Sequence, residues 1–338
     1  MRLHYNALVH IHSSAPTRID LAGGTLDIWP LYLFHDGAQT INAAISIRAH
    51  ARLDMRTDGL VEIRSVDTGR AVPATRPEAL ATDTTLPLLS RLLRFFEAGN
   101  VTLTTQSDSP AGAGLAGSSA LNIAVCGALA RWKGASNRRR DDLLLTAMNV
   151  EAQVLGVPTG VQDYRPALFG GIAAIELRVD GIHREPLDVD PAELQRRLVL
   201  AYTGAPRNSG TNNWEIMKRH LDGDRAVFDR FERIRDTAAA MREALTRGDW
   251  ARTGRLIAEE WDNRRQLAPG VTTPAIDALI GRALRAGALS AKVCGAGGGG
   301  CLICYAQPDG LPAVREALAA GGARLLEFEI DLEGLRIG

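Results

Sequence analysis

Two glycine-rich stretches offer the clearest chemistry in the sequence: Ser109-Pro110-Ala111-Gly112-Ala113-Gly114-Leu115-Ala116-Gly117-Ser118-Ser119 and Gly295-Ala296-Gly297-Gly298-Gly299-Gly300. Glycine lets backbone N–H groups approach an anion closely and takes positive φ without a Cβ penalty, so both loops suit phosphate. The first also feeds a helix N-terminus, where unpaired N–H groups and the dipole favour negative charge. It is neither the GxxxxGK[ST] pattern nor a GxGxxG with a later ribose-binding acid. A third signal is a carboxylate out of place. Glu151 falls on the apolar stripe of a predicted helix over 142–155, beside Leu144, Ala147, Met148, Ala152 and Leu155. Desolvating a carboxylate is expensive unless it meets a cation or hydrogen-bond donors, so Glu151 is a candidate ligand. An ion pair, or a stripe edge that reaches water, would satisfy the same pattern.

The elements that must position these groups can be read from periodicity and punctuation. A strand over 101–105 leads into the first loop, and a helix leaves it with Leu121, Ala124, Val125, Ala128, Leu129 and Trp132 on one stripe. The first fifty residues read as short strands, including 17–21 and 41–47, joined through a Gly23-Gly24 turn, and a second strand group runs through Arg64. A helix is predicted over 86–98, strands over 172–177 and 198–203, and mostly helix over 214–267. Thr273 and Pro274 open a further helix as N-cap and first-turn residue, and Gly287 ends it. Strands over 288–294 and 301–305 flank the second glycine loop, with a final helix over 312–320 and a strand over 324–330. The pattern is α+β in two domains, 1–191 and 192–338.

Composition bounds the function. A length of 338 residues, 46% apolar and 23% charged, describes a packed globular protein of about two domains. Lys plus Arg (39) balance Asp plus Glu (39), without the basic excess that nucleic-acid binders use. The longest uncharged run, 109–130, is broken by proline, glycines and serines and cannot be one continuous apolar helix. No secretory-type apolar core opens the chain, so a cytoplasmic location is expected, without nucleic-acid or membrane partners. The four cysteines read as reduced core thiols, with Cys301 and Cys304 on opposite faces of a strand.

Taken alone, Arg18 and Asp163 read as a surface pair; the motifs around them change that. The stretches 15–27 (APTRIDLAGGTLD), 110–120 (PAGAGLAGSSA) and 292–301 (KVCGAGGGGC) resemble the three motifs of the GHMP kinases, in order and at suitable spacing. That resemblance implies an N-terminal α/β domain like one in a small-subunit ribosomal protein, a ferredoxin-like C-terminal domain, and ATP bound between them. It implies that Pro110, Gly112, Gly114, Leu115, Ala116, Gly117, Ser118 and Ser119 wrap the ATP phosphates, and that Ser119 and Glu151 hold Mg2+. Magnesium's preference for hard oxygen ligands alongside waters and phosphates agrees with so small a protein share. Asp163 matches the family's catalytic Asp, and Arg18 would stabilise the transferring phosphoryl group.

The acceptor follows from finer resemblance. Arg18 stands where sugar kinases such as galactokinase have Arg and mevalonate kinases have Lys. Gly24 and Thr25 replace the Glu-His of galactokinase, which argues against galactose. The Leu-Ala-Gly-Gly pattern with Asp27, the stretch 202–207 (YTGAPR) and the stretch from Trp261 to Ile276 resemble the heptose 7-phosphate kinase and fucokinase branch. In that branch Asp27 would bind sugar hydroxyls, with Gly23, Gly24, Thr203, Gly204, Gly297 and Gly298 around the substrate and Arg207 meeting a phosphate already on it. The expected partner is a small-molecule sugar or sugar phosphate, phosphorylated at the anomeric or another hydroxyl, with a homodimer allowed for. The competing readings are a mevalonate-pathway kinase or diphosphomevalonate-decarboxylase-like enzyme, and a non-catalytic sugar and ATP sensor on the same fold.

Overall fold

The computed structural model describes residues 10–134, 140–157, 159–206 and 209–338. Its spine is a pair of long antiparallel strands, β1 (His10–Ala22) and β2 (Gln39–Met55). Next to the later half of β2 come β3 (Val61–Ser65), β4 (Arg70–Ala74) and β5 (Val101–Ser107), and its first residues pair with β6 (Ile172–Arg178), which pairs with β7 (Gly181–Pro186). A second, antiparallel sheet contains β8 (Leu198–Tyr202), β9 (Ser290–Val293), β10 (Cys301–Tyr305) and β11 (Arg324–Leu326), in the order β11-β8-β10-β9. The last strand, β12 (Arg336–Ile337), returns to the first sheet beside β1 and completes eight strands there among the described residues.

The first two strands are far longer than the short pieces that the sequence suggested. Both are buried on each face over much of their length, so their residues do not alternate between apolar and polar. One face packs against α1 (Pro87–Phe95), α2 (Gly117–Trp132), α3 (Arg140–Leu155) and α4 (Tyr164–Phe169). The other meets the second sheet in a shared apolar core, where Ile19, Leu21 and Ile45 pack with Leu200 and Ile303. α2 is therefore buried nearly all round rather than along one stripe, and of the predicted stripe Leu121, on the wall of a cleft, and Trp132 are half-exposed. On α3 the buried positions are Leu143, Leu144, Ala147, Val150 and Glu151, while Leu155 is exposed. Cys301 and Cys304 do belong to different apolar clusters, and all four cysteines are buried and free of disulfides.

The remaining helices are α5 (Pro191–Gln195), α6 (Ser209–Leu221), α7 (Arg225–Thr246), α8 (Trp250–Arg264), α9 (Pro274–Arg285) and α10 (Leu311–Ala320). Asp190, Asp224, Asp249 and Thr273 cap α5, α7, α8 and α9 with side-chain oxygens, the short polar residues that satisfy the first N–H groups. No helix among the described residues is long and apolar enough to cross a membrane.

The two halves are clasped by histidines. His35, after a short 3-10 turn (Leu31–Phe34), faces His220 of α6 with Nε2 atoms 2.8 Å apart, and its Nδ1 lies 2.5 Å from Glu232 of α7. Phe34, Phe228 and Phe231 enclose the rings, and Arg235 pairs with Glu232 at 2.8 Å. Two facing nitrogens share one proton, and burial lowers the pKa of both histidines. Each is harder to protonate folded than unfolded, so stability is whole above the ordinary histidine range and is lost as pH falls through it. Replacing His220 by Phe should make the loss of Tm between about pH 7 and about pH 5 shallower. An unchanged slope in thermal melts would show that the pair does not titrate on unfolding.

Candidate active site

The first glycine loop turns from β5 into α2 through three left-handed residues, Gly112 (φ 66°), Gly114 (φ 77°) and Ala116 (φ 63°). For alanine that conformation costs about 1–2 kcal/mol, a local strain of the kind found at ligand-binding turns. No side chain caps α2, which leaves the N–H groups of its first turn for a ligand. Pro110, Gly112, Gly114, Ala116, Gly117, Ser118 and Ser119 all line a cleft of about 540 Å³. Leu115 instead points into the core, and its carbonyl accepts from the Arg18 N–H at 3.0 Å. The second glycine loop braces the first. Cys301 N–H donates to the Ala113 carbonyl at 2.7 Å, and a Cβ on Gly300 would stand 2.6 Å from that same oxygen.

At the inner end of the cleft, Glu151 is 5% exposed and accepts from Ser119 Oγ at 3.0 Å and from the Tyr164 hydroxyl at 2.8 Å. Burial raises its pKa against the opposing hydrogen bonds of Ser118, Tyr164 and Ser119. The Glu151 carboxylate and the Ser119 hydroxyl, with no cationic side chain against them among the described residues, are hard oxygens suited to a divalent ion.

Asp163 stands immediately before α4 and joins two cavities. Arg18 donates to its Oδ1 through Nε at 3.0 Å and Nη2 at 2.6 Å, and through Nη1 to the Gly114 carbonyl at 2.9 Å. Arg18 thus ties the carboxylate to the glycine loop. Burial would weaken the guanidinium's charge, but Asp163 and Asp20 more than offset this and its pKa rises. On the same face of β1, fully buried Asp20 collects Lys292 (2.9 Å), Arg264 (2.8 Å), Arg18 (3.4 Å) and the Gly295 N–H (3.0 Å). Burial would raise the Asp20 pKa, yet these cations hold it well below the usual carboxylate range.

The second cavity, of about 50 Å³, shares Gly160, Asp163 and Asn213 with the cleft and adds Arg18, Thr25, Asp27, Gln162 and Arg264. Asp27 is held by Gln162 twice, through the backbone N–H at 3.0 Å and Nε2 at 3.2 Å. Burial first, and then the charge of Asp163, push its pKa up to about 6. Gly160 is required here, since a Cβ would stand 2.1 Å from Asp27 Oδ2.

The other sequence-predicted residues surround this pocket rather than line it. A Cβ on Gly23 would strike the Gln39 carbonyl at 2.1 Å, and one on Gly24 would strike Arg264 at 2.5 Å. Gly298 N–H donates to the Val271 carbonyl at 2.8 Å, which a Cβ on Gly297 would also meet, at 2.4 Å. Thr203 N–H donates to Gly300 at 2.9 Å, and Gly204 is exposed beside it. Arg207 lies outside the described residues, as does Pro158. Sequence reasoning missed Asp20, Gln162, Asn213 and Arg264 as members of the site, and Glu260, whose Oε1 lies 3.8 Å from Lys292. The signal that exposed Glu151 was available for two of them: Glu260 and Arg264 share the buried stripe of α8 with Leu256, Ile257 and Trp261.

Two family segments match this chain in order: GHMP kinases N terminal domain over residues 84–171 and GHMP kinases C terminal over residues 241–324. It is 28% identical to D-glycero-alpha-D-manno-heptose 7-phosphate kinase of Campylobacter jejuni, over 96% of this chain and 98% of that protein. It is 26% identical to L-fucokinase/L-fucose-1-P guanylyltransferase of Bacteroides fragilis, over 96% of this chain but 38% of that longer protein. The crystal structure of a D-glycero-D-manno-heptose 1-phosphate kinase from Bacteroides thetaiotaomicron superposes with a TM-score of 0.78 at 24% identity, covering 97% of this chain and 98% of that one. That likeness shows the two-part α+β fold. With both family segments in place and the three motifs gathered round one carboxylate, the chain belongs to the GHMP kinases and is a phosphotransferase.

Proposed function

We propose that this protein transfers the γ-phosphoryl group of ATP, with Mg2+, to a hydroxyl of a sugar or sugar phosphate. The observation that carries the reading is the placement of Asp163. It stands where the glycine-lined cleft meets the small polar pocket, with Arg18 bound to it at 2.6 Å. The phosphates lie along Gly112–Ser119, and the acceptor's reacting end enters the pocket beside Asp27. Asp163 takes the proton from the acceptor hydroxyl as that oxygen bonds to the γ-phosphorus. The bond to the bridging oxygen breaks and ADP leaves, while Arg18 steadies the charge on the transferring group. Ser119 and Glu151 would hold Mg2+, which supplies charge neutralisation on the phosphate oxygens. Thr203, Gly204, Gly297 and Gly298 form the surroundings of the acceptor site, on a second domain that we take as 192–338.

The relatives named for heptose 7-phosphate and L-fucose kinases support a sugar acceptor, as does Asp27, whose oxygens suit hydroxyl donors. The test is coupled ADP release with MgATP across hexoses, L-fucose, heptoses, heptose 7-phosphate, mevalonate and homoserine, with product NMR on any hit. Turnover of a sugar supports the reading; turnover of mevalonate alone overturns it. ATP and sugar binding without turnover would leave a sensor. For the ion, Glu151→Gln should raise the Mg2+ concentration for half-maximal rate by about tenfold or more, as loss of one of few protein ligands would. An unchanged magnesium titration would return Glu151 to a purely structural role.

A further inference from the structure

We propose that Arg264 determines acceptor specificity by donating to the hydroxyl next to the one phosphorylated, while Asp27 serves as the acceptor partner in the same pocket. The inference rests on the sugar kinase reading above and gives a role to a residue that the sequence analysis held only as part of the stretch 261–276.

Arg264 ends α8 in the second half of the chain, yet its side chain, 2% exposed, reaches the β1 side of the site. Nη1 donates to Asp20 Oδ2 at 2.8 Å, Nη2 donates to Thr25 Oγ1 at 3.3 Å and to the Gly295 carbonyl, and the fully buried Nε–H has no hydrogen-bond partner among the described residues. Arg264, Thr25 and Gly295 all belong to the wall of the small pocket that holds Asp27 and Asp163. A guanidinium so placed is a fixed cationic donor, and Nη1 gives only one of its two hydrogens to Asp20 among the described residues. Asp27 in the same wall is an acceptor, fixed by its two bonds to Gln162. A donor and an acceptor on one small pocket fit neighbouring hydroxyls, each of which both gives and takes a hydrogen bond.

Position 24 decides whether the guanidinium can be there. A Cβ on Gly24 would lie 2.5 Å from Arg264 Nη1 and 3.0 Å from Asp20 Oδ2. A side chain at 24 and the guanidinium of Arg264 compete for one volume. A chain with a large residue at 24 would have to read its acceptor differently; here Gly24 leaves that volume to an arginine delivered from α8. At about 50 Å³ the pocket admits only the reacting end of the acceptor. Any phosphate on the substrate stays outside it.

The experiment uses the full chain with MgATP and two acceptors, D-glycero-D-manno-heptose 7-phosphate and L-fucose, each beside the deoxy counterpart that lacks the hydroxyl next to the position product NMR finds phosphorylated, the 2-deoxy sugar where that position is anomeric. Arg264→Lys keeps the charge but loses the planar fork, and Gly24→Ala keeps every charge but displaces the guanidinium. Either is expected to raise the acceptor KM by about tenfold or more and leave the ATP KM within about twofold. The preference for the sugar over its deoxy form should shrink by a similar factor, a change that a merely structural residue would not produce. If one variant does not fold, the other decides. An active wild type whose folded variants keep both acceptor KM and deoxy discrimination would overturn the role of Arg264 alone. A wild type that turns over mevalonate but no sugar of the wider panel would overturn the sugar kinase reading and this inference with it.

Discussion

Asp163→Asn is expected to lower turnover by about 10³-fold while leaving the fold and ATP binding in place, the scale on which a positioned proton acceptor matters. The geometry singles out this carboxylate. Glu151 lines the cleft alone and Asp27 the small pocket alone, whereas Asp163 lines both and gives Oδ1 to Arg18. Oδ2 remains for the acceptor hydroxyl at the junction of the two cavities. Asparagine keeps the size and an oxygen for Arg18 but cannot take a proton. Arg18 retains Asp20 and the Gly114 carbonyl, so the fold should survive. ADP release and nucleotide titration by fluorescence or calorimetry check both halves, and near-normal turnover would remove Asp163 from the mechanism.

Asp27→Asn should move function and stability in opposite directions. The acceptor KM is expected to rise by about 10²-fold, since a charged hydrogen-bond acceptor to a buried hydroxyl is lost. Stability should increase at neutral pH. With its pKa raised to about 6 by burial and Asp163, the wild-type carboxylate binds a proton more tightly folded than unfolded. The native state thus loses stability as pH rises from the ordinary Asp range to about 6, with no further loss above that. The ceiling on this penalty is roughly 3 kcal/mol, and one amide–amide clash against the two Gln162 donors reduces what asparagine recovers. Urea unfolding of both proteins at about pH 4.5 and about pH 8 should show a clearly larger advantage for the variant at the higher pH. An advantage independent of pH would mean that Asp27 is not held in this repelled state.

How much of this was written in the sequence varies by residue. The glycine loops declared themselves because an anion-binding turn needs positive φ and close backbone approach, requirements that few residue types meet. Glu151 was legible because a carboxylate on an apolar stripe violates a local rule, and violations of that kind concentrate at functional sites. The helix of residues 274–285 was read nearly to its ends, since Thr273 and Pro274 are local signals whose meaning does not depend on distant packing. The first two strands were underestimated because burial on both faces erases the alternation on which strand prediction depends. Strands β7 and β12 were missed for the opposite reason, being half-exposed or exposed edge segments with little pattern of their own.

The site shows the same division. The sequence by itself determined which groups are present: a phosphate-ready loop on a helix, a carboxylate that needs partners, and the motif residues Arg18, Asp27 and Asp163. Only the tertiary structure decided who meets whom. Residues 18 and 163, 20 and 292, and 24 and 264 come together because one apolar core presses the second sheet and its helices against β1 and β2. The energy of those meetings is non-local. A buried Asp20 is tolerable only because Lys292 from β9 and Arg264 from α8 join its strand neighbour Arg18 in sharing its charge. No spacing along a chain records which side chains folding will bring within 3 Å of one another.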